Sequence, residues 1–209
     1  MKRVLYVIIA LLALSSCRHE PETADLDNKF MVYTSHDHSA NFATFSTFYL
    51  PDSILLISAE PTPQYWKDAD AQRIITAYAT NMTQRGYTRT ADKAGADLGI
   101  QISYVQSTRY LVDYHYEYWW WGYPGYWGPG YWGNWGGWYY PYPIYYTYQV
   151  GSMLTEVVDL KAPEGEAQKL PVLWTSFVSG LLDYSQEVNT SEAVEAVNQS
   201  FTQSPYLKK

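Results

Sequence analysis

Two histidines, one cysteine and a run of indoles are the residues of this chain whose types and spacing could do chemistry. His36 and His38 stand two apart in Ser35-His36-Asp37-His38-Ser39, so on a strand they would share one face and could chelate a divalent metal. A hydrolytic metal centre needs a third ligand, and Asp113, His115 and Glu117 share a face further along. Nothing in the sequence brings those two segments together. The plainer reading is a polar turn and a solvated strand face, with a metal-dependent hydrolase using His36, His38 and His115 as the alternative. No Gly-x-Ser-x-Gly elbow, phosphate-cradling glycine loop or His-Glu-x-x-His helix occurs. Asp92, Asp97, Glu156 and Asp159 flank strands singly, without the pairing that glycoside hydrolysis requires. The expectation is therefore no catalytic residue, no metal and no cofactor.

Cys17 is the single cysteine among 209 residues. Lys2 and Arg3 precede an unbroken apolar run of eleven residues, Val4 to Leu14, too short for a spanning helix but suited to a secretory signal. Leu14-Ser15-Ser16-Cys17 then resembles the bacterial lipobox, in which cleavage falls before a cysteine that carries diacylglycerol and a further acyl group. This predicts a signal peptide over 1–16, a lipid attachment site at Cys17 and a polar tether over 17–29. Buried acyl CH₂ groups contribute about 0.8 kcal/mol each, so several chains make a durable anchor. With that thiol consumed, no disulfide remains to brace the fold. After cleavage the chain has 12 basic and 21 acidic residues, a formal charge of −9 that disfavours nucleic acid as a partner.

Residues 118–143 hold seven Trp, seven Tyr, seven Gly, four Pro and Asn134, and no charged residue occurs from Tyr118 through Thr155. Pro124-Gly125-Tyr126-Trp127-Gly128 repeats unchanged as Pro129-Gly130-Tyr131-Trp132-Gly133. Aromatic rings offer large contact energies, whereas glycine and proline at this density oppose regular structure. Trp119, Trp120, Trp121, Tyr126, Trp127, Tyr131, Trp132, Trp135 and Trp138 are thus the candidate binding residues. They could fold back over a sheet as a local cluster, stack on the C–H faces of glycan or peptidoglycan, sit at a membrane interface, or meet an envelope protein or a second copy.

The elements that would position this insert follow an α+β pattern across one domain, 30–209. Phe30–Tyr33 and Thr44–Leu50 read as early strands, and Ile54–Ser58 as a third or as a continuation beyond Pro51. Asp68 or Asp70 caps a helix running to Arg85, with Gly86 at its stop and Ile74, Ile75, Tyr78 and Met82 facing a sheet. From Asp97 to Tyr118 the even positions are mostly apolar or aromatic and the odd ones polar, the mark of a strand with one buried face. The same parity returns from Ile144 to Leu160, with Gly151 as a plausible bulge. A strand Val172–Gly180 follows a loop over 161–170, and Asn189 or Thr190 caps a final helix facing inward through Val194, Val197 and Phe201. The predicted fold is a mainly antiparallel sheet with two helices packed on one face and a long β-ribbon carrying the aromatic-rich insert.

Several of these pieces resemble one known family. Thr44-Phe45-Ser46-Thr47-Phe48-Tyr49, Arg85-Gly86-Tyr87, Ala96-Asp97-Leu98, Glu156-Val157-Val158-Asp159-Leu160 and Leu173-Trp174 are similar to segments of the bacterial lipoproteins defined by domain of unknown function 4136. Thr175 after Trp174 departs from the basic residue frequent there, and the aromatic insert is unusually large. The resemblance implies an α+β lipoprotein of a Gram-negative envelope, facing the periplasm or the cell surface, and brings no established activity with it. The expected role is non-enzymatic: a protein lipid-anchored at the outer membrane that acts structurally or by contact through its aromatic loop.

Overall fold

A computed structural model describes residues 30–58, 60, 62–106, 128–144, 149–182 and 188–209. Helix α1 (Ala69–Gln84) begins where the Asp68 side chain accepts hydrogen bonds from the Asp70 and Ala71 amides, and its Ile74, Ile75, Tyr78 and Met82 are buried as predicted. It stops at Gly86, whose φ of 96° lies in the left-handed region that glycine enters without strain. Helix α3 (Thr190–Thr202) is capped by Asn189, which accepts from the Glu192 amide. Two of the three residues predicted for its inner face, Val197 and Phe201, are buried. Ala193, Ala196, Val197 and Phe201 are buried, while Val194 is only partly covered and faces the groove between α1 and α3. Asn81 Nδ2 donates to Asn198 Oδ1 and Arg73 to Ser191 Oγ, so polar contacts join the two helices along their outer edge.

Nine strands are described: β1 (Met31–His36), β2 (Thr47–Tyr49), β3 (Ile54–Ile57), β4 (Gln64–Trp66), β5 (Thr88–Arg89), β6 (Leu98–Val105), β7 (Trp135–Tyr139), β8 (Ser152–Asp159) and β9 (Gly165–Ser179). The main order is β1-β9-β8-β6-β2-β5, with β3 also on β6, β4 on β3 and β7 on β9. The predicted β-ribbon is present where it is described: β6 and β8 pair antiparallel from Leu98↔Asp159 to Val105↔Ser152. The sheet is mostly but not purely antiparallel. β2 pairs parallel with β5 and β6, β3 with β6, and β7 with β9. The pairs made by β2 and β3 exist because α1 is the crossover that returns the chain to lie beside them, whereas β7 and β9 are separated in the chain by β8. Pro51 has no amide to donate, and the chain breaks there before β3 resumes along the same edge of β6.

Three other expectations are corrected. β9 starts at Gly165, so the loop before it is short, and its first half pairs with β7 instead of remaining open. Gly151 is not a bulge: it sits before β8 at φ 82°, and the β8/β9 register shift falls between Val157 and Val158. β6 is buried along both faces, not one. Two apolar clusters explain why. One gathers α1 and α3 with Ile100, Ile102, Met153, Val157 and Trp174; the other gathers Leu154, Val158, Leu170 and Val172 with Trp132, Trp135, Trp138 and Tyr142 from the insert. No helix among the described residues is long and apolar enough to cross a membrane.

Candidate functional site

The strand register aligns Gln101 on β6 with Glu156 on β8, and Glu156 with Thr175 on β9. All three side chains are fully or almost fully buried, as are Ser103 and Ser152. A polar row stripped of water is costly unless it finds partners. The insert helps supply them for Gln101 and Glu156, whereas Ser103 Oγ, Ser152 Oγ and Thr175 Oγ1 have no partner among the described residues. Tyr140 donates its hydroxyl to Glu156 Oε1, Gln101 Nε2 donates to Glu156 Oε2, and Trp132 Nε1 donates to Gln101 Oε1 at 3.0 Å. Burial pushes the Glu156 carboxyl up to about 7, against the pull of the Tyr140 and Gln101 hydrogen bonds.

The described part of the insert, 128–144, is a docked flap. Its short helix α2 (Pro129–Trp132) and strand β7 place Trp132, Trp135 and Trp138 inward, with Tyr142 beside them. Gly99 on β6 makes the room. A Cβ there would lie 2.5 Å from Trp132 Cζ3 and 2.8 Å from Val158 Cγ2, so the indole lies directly over the glycine backbone. Lys93 closes the rim: its ammonium lies 3.9 Å from the centre of the Tyr131 ring and donates to the Tyr131 carbonyl. Tyr49 adds an edge contact to Trp132.

This placement corrects part of the predicted binding set. Trp132, Trp135 and Trp138 are core residues that cover the sheet, because the polar and apolar side chains of its second face need an apolar lid. They present no free face. Tyr131 is half-buried under Lys93, whereas Tyr139 is 52% exposed. Trp119, Trp120, Trp121, Tyr126, Trp127 and Cys17, the expected lipidation site, lie outside the described residues.

His36 closes β1, and its ring lies 4.3 Å from that of His38 and stacks on Tyr206 at 3.5 Å. Burial, followed by repulsion from His38, lowers the His36 pKa. Among the described residues no group of three or more His, Cys, Asp or Glu side chains is placed to hold a metal, and His115 lies outside them.

The short motifs prove to be staples. Arg85 donates through Nη1 to the Ser204 carbonyl (2.6 Å) and the Leu207 carbonyl (3.2 Å), and through Nη2 to the Phe201 carbonyl, tying the end of α1 to the end of α3. Asp97 accepts from the Ser46 and Thr47 amides at 2.6 and 3.1 Å and pairs with Lys161 at 3.3 Å, fixing β2 against β6. Trp174 Nε1 donates to Ser204 Oγ at 2.8 Å.

Glu156 was expected as a lone acid flanking a strand and is instead buried within β8, while Gln101 and Tyr140 were not singled out as site residues. The one available signal was parity: Ser152 and Glu156 interrupt the even-numbered apolar series Val150, Leu154, Val158 and Leu160.

Fold and site together define an α+β domain whose sheet carries helices on one face and a charge-free aromatic flap on the other. The model of the family described as domain of unknown function DUF4136 matches residues 32–206, and the chain belongs to that family. It is similar to a DUF4136 family protein from Bacteroides thetaiotaomicron VPI-5482, known from a crystal structure at 1.60 Å resolution. The identity is 56%, the TM-score 0.81, and the match covers 87% of this chain and 99% of that one. No curated protein matches the chain.

Proposed function

We propose that the protein is a non-enzymatic module of the outer membrane, anchored through acylated Cys17, that makes contacts through the ring-rich residues 118–127. The observation that carries this reading is the docked foot of the insert: Trp132 and Trp138 are sealed against the sheet, and Tyr140 is tied to Glu156. Long inserts built into a compact domain are usually functional. Trp119, Trp120, Trp121, Tyr126 and Trp127 follow one another on the uncharged stretch leading into that foot. Sugar faces of glycan or peptidoglycan, a lipid interface and an envelope protein are the partner classes such rings serve.

Fractionation of cells expressing the protein or its Cys17→Ser variant tests the anchor and separates it from the contact. The intact protein should resist a high-salt wash of the membrane pellet. The variant should leave the lipid phase yet still be partly retained on envelope material. A variant that stays as firmly as the intact protein would contradict acylation as the anchor.

A further inference from the structure

A cavity of about 340 Å³ lies at the end of β6 remote from Asp97, where β4 and the N-termini of α1 and α3 meet. It is at the small end of the ~300–1,000 Å³ range of small-ligand sites. Trp66 and Tyr104 form an aromatic corner, their ring centres 5.9 Å apart and inclined at 58°. Asp68, Asp70 and Gln106 contribute oxygen acceptors and an amide, and Leu182 gives an apolar wall. Gly151 sets that wall, since a Cβ there would come within 2.5 Å of Leu182 Cγ.

Tyr104 supplies the cavity with a ring and a hydroxyl on one residue. It is only 5% exposed and lines the cavity, yet its hydroxyl has no hydrogen-bond partner among the described residues. That hydroxyl is open to the cavity and not sealed in the core, so it is free to pair with a ligand oxygen there.

We infer that this cavity binds a neutral sugar residue. Both carboxylates at the mouth are already engaged, Asp68 Oδ1 by two amides at the α1 N-terminus and Asp70 by Arg73 at 3.3 Å, so the mouth favours neither an anion nor a cation strongly. An amine would therefore gain little, whereas carboxylate and carboxamide oxygens remain acceptors for hydroxyl groups. The Trp66–Tyr104 corner offers ring faces and edges to sugar C–H groups. The volume limits the ligand to one or two units, such as the end of a glycan. The inference uses none of residues 118–127 and does not depend on their role.

Saturation-transfer NMR and calorimetry on the purified protein with glucose, galactose, mannose and N-acetylglucosamine test the inference. At least one should bind with a Kd near the millimolar range. Tyr104→Phe, which removes only the hydroxyl, should weaken that binding about fivefold with an unchanged melting temperature. Gln106→Ala should act similarly, and Trp66→Leu should abolish the transfer signal. No binding of any of the four sugars by folded protein would overturn the inference. So would equal affinity in Tyr104→Phe, stronger binding of tetramethylammonium than of every sugar, or binding lost only when the rings of 119–127 are replaced by serine.

Discussion

The Tyr140 hydroxyl and the Glu156 carboxylate are hydrogen-bonded across the seam between flap and sheet, sixteen residues apart in the chain. Glu156 is fully buried, so this bond and the one from Gln101 are what allow a carboxylate to remain there. The flap thereby closes over the group that it also satisfies.

Stability should consequently fall as pH rises from about 4.5 to about 7. The folded-state pKa of Glu156 is raised to about 7 from a reference of 4.5, so between those values the folded protein holds a proton that the unfolded chain has released. This contribution is complete below the reference value and lost as pH passes through the folded one, at about 1.4 kcal/mol per pH unit within the window. Glu156→Gln should flatten that slope in urea unfolding measured from pH 4.5 to 8. An unchanged slope would place the titration elsewhere.

Gly99→Ala should displace Trp132. The added methyl would meet the indole and Val158 with no slack, and overpacking of this kind costs about 1–3 kcal/mol. Near-ultraviolet circular dichroism should report a changed aromatic environment. Trp132→Ala in the same chain should make the alanine at 99 less costly, because only the approach to Val158 Cγ2 at 2.8 Å remains. Additive losses in the double-mutant cycle would contradict direct contact.

Arg85→Lys should destabilise by about 1–3 kcal/mol, although charge is kept. The guanidinium reaches three carbonyls at the end of α3 through two nitrogens, a fork that one ammonium cannot reproduce. Thermal unfolding checks this. A loss confined to a few tenths of a kcal/mol would mean the carbonyls find water instead.

Asp97→Asn should reduce acid lability. Burial opposes ionisation of Asp97, but the Ser46 and Thr47 amides and Lys161 overcome it and hold the carboxyl below its reference of 3.8. Stability from this group is present above that reference and lost as pH falls through the lower folded value. The variant should be less stable at neutral pH and lose less between pH 4 and 2 than the parent.

The helices were legible because their signals are local: Asp68 and Asn189 cap, Gly86 stops, and Ile74 to Met82 repeat at helical spacing. The pairing of β6 with β8 was legible from two runs of matched parity. The covered second face was not. Gln101 and Ser103 occupy positions that look solvated, and the element covering them has glycines and prolines but no period. The parallel pairing of β2 and β3 with β6 was hidden for another reason. It depends on a crossover through α1, which no short window reveals. The insert was readable as unusual, but its division into buried foot and ring-rich remainder required knowing that Glu156 faced it.

That division changes how the contact role must be tested. Removing 118–143 entirely would also remove Trp132, Trp135 and Trp138 and strip the second face of its cover. The decisive comparison keeps the foot and replaces Trp119, Trp120, Trp121, Tyr126 and Trp127 with serine in the unacylated Cys17→Ser chain. Co-sedimentation with purified envelope fractions should then fall to background, with the melting temperature within a few degrees of the parent. Equal sedimentation of the two folded proteins would contradict the ring-rich segment as the contact surface.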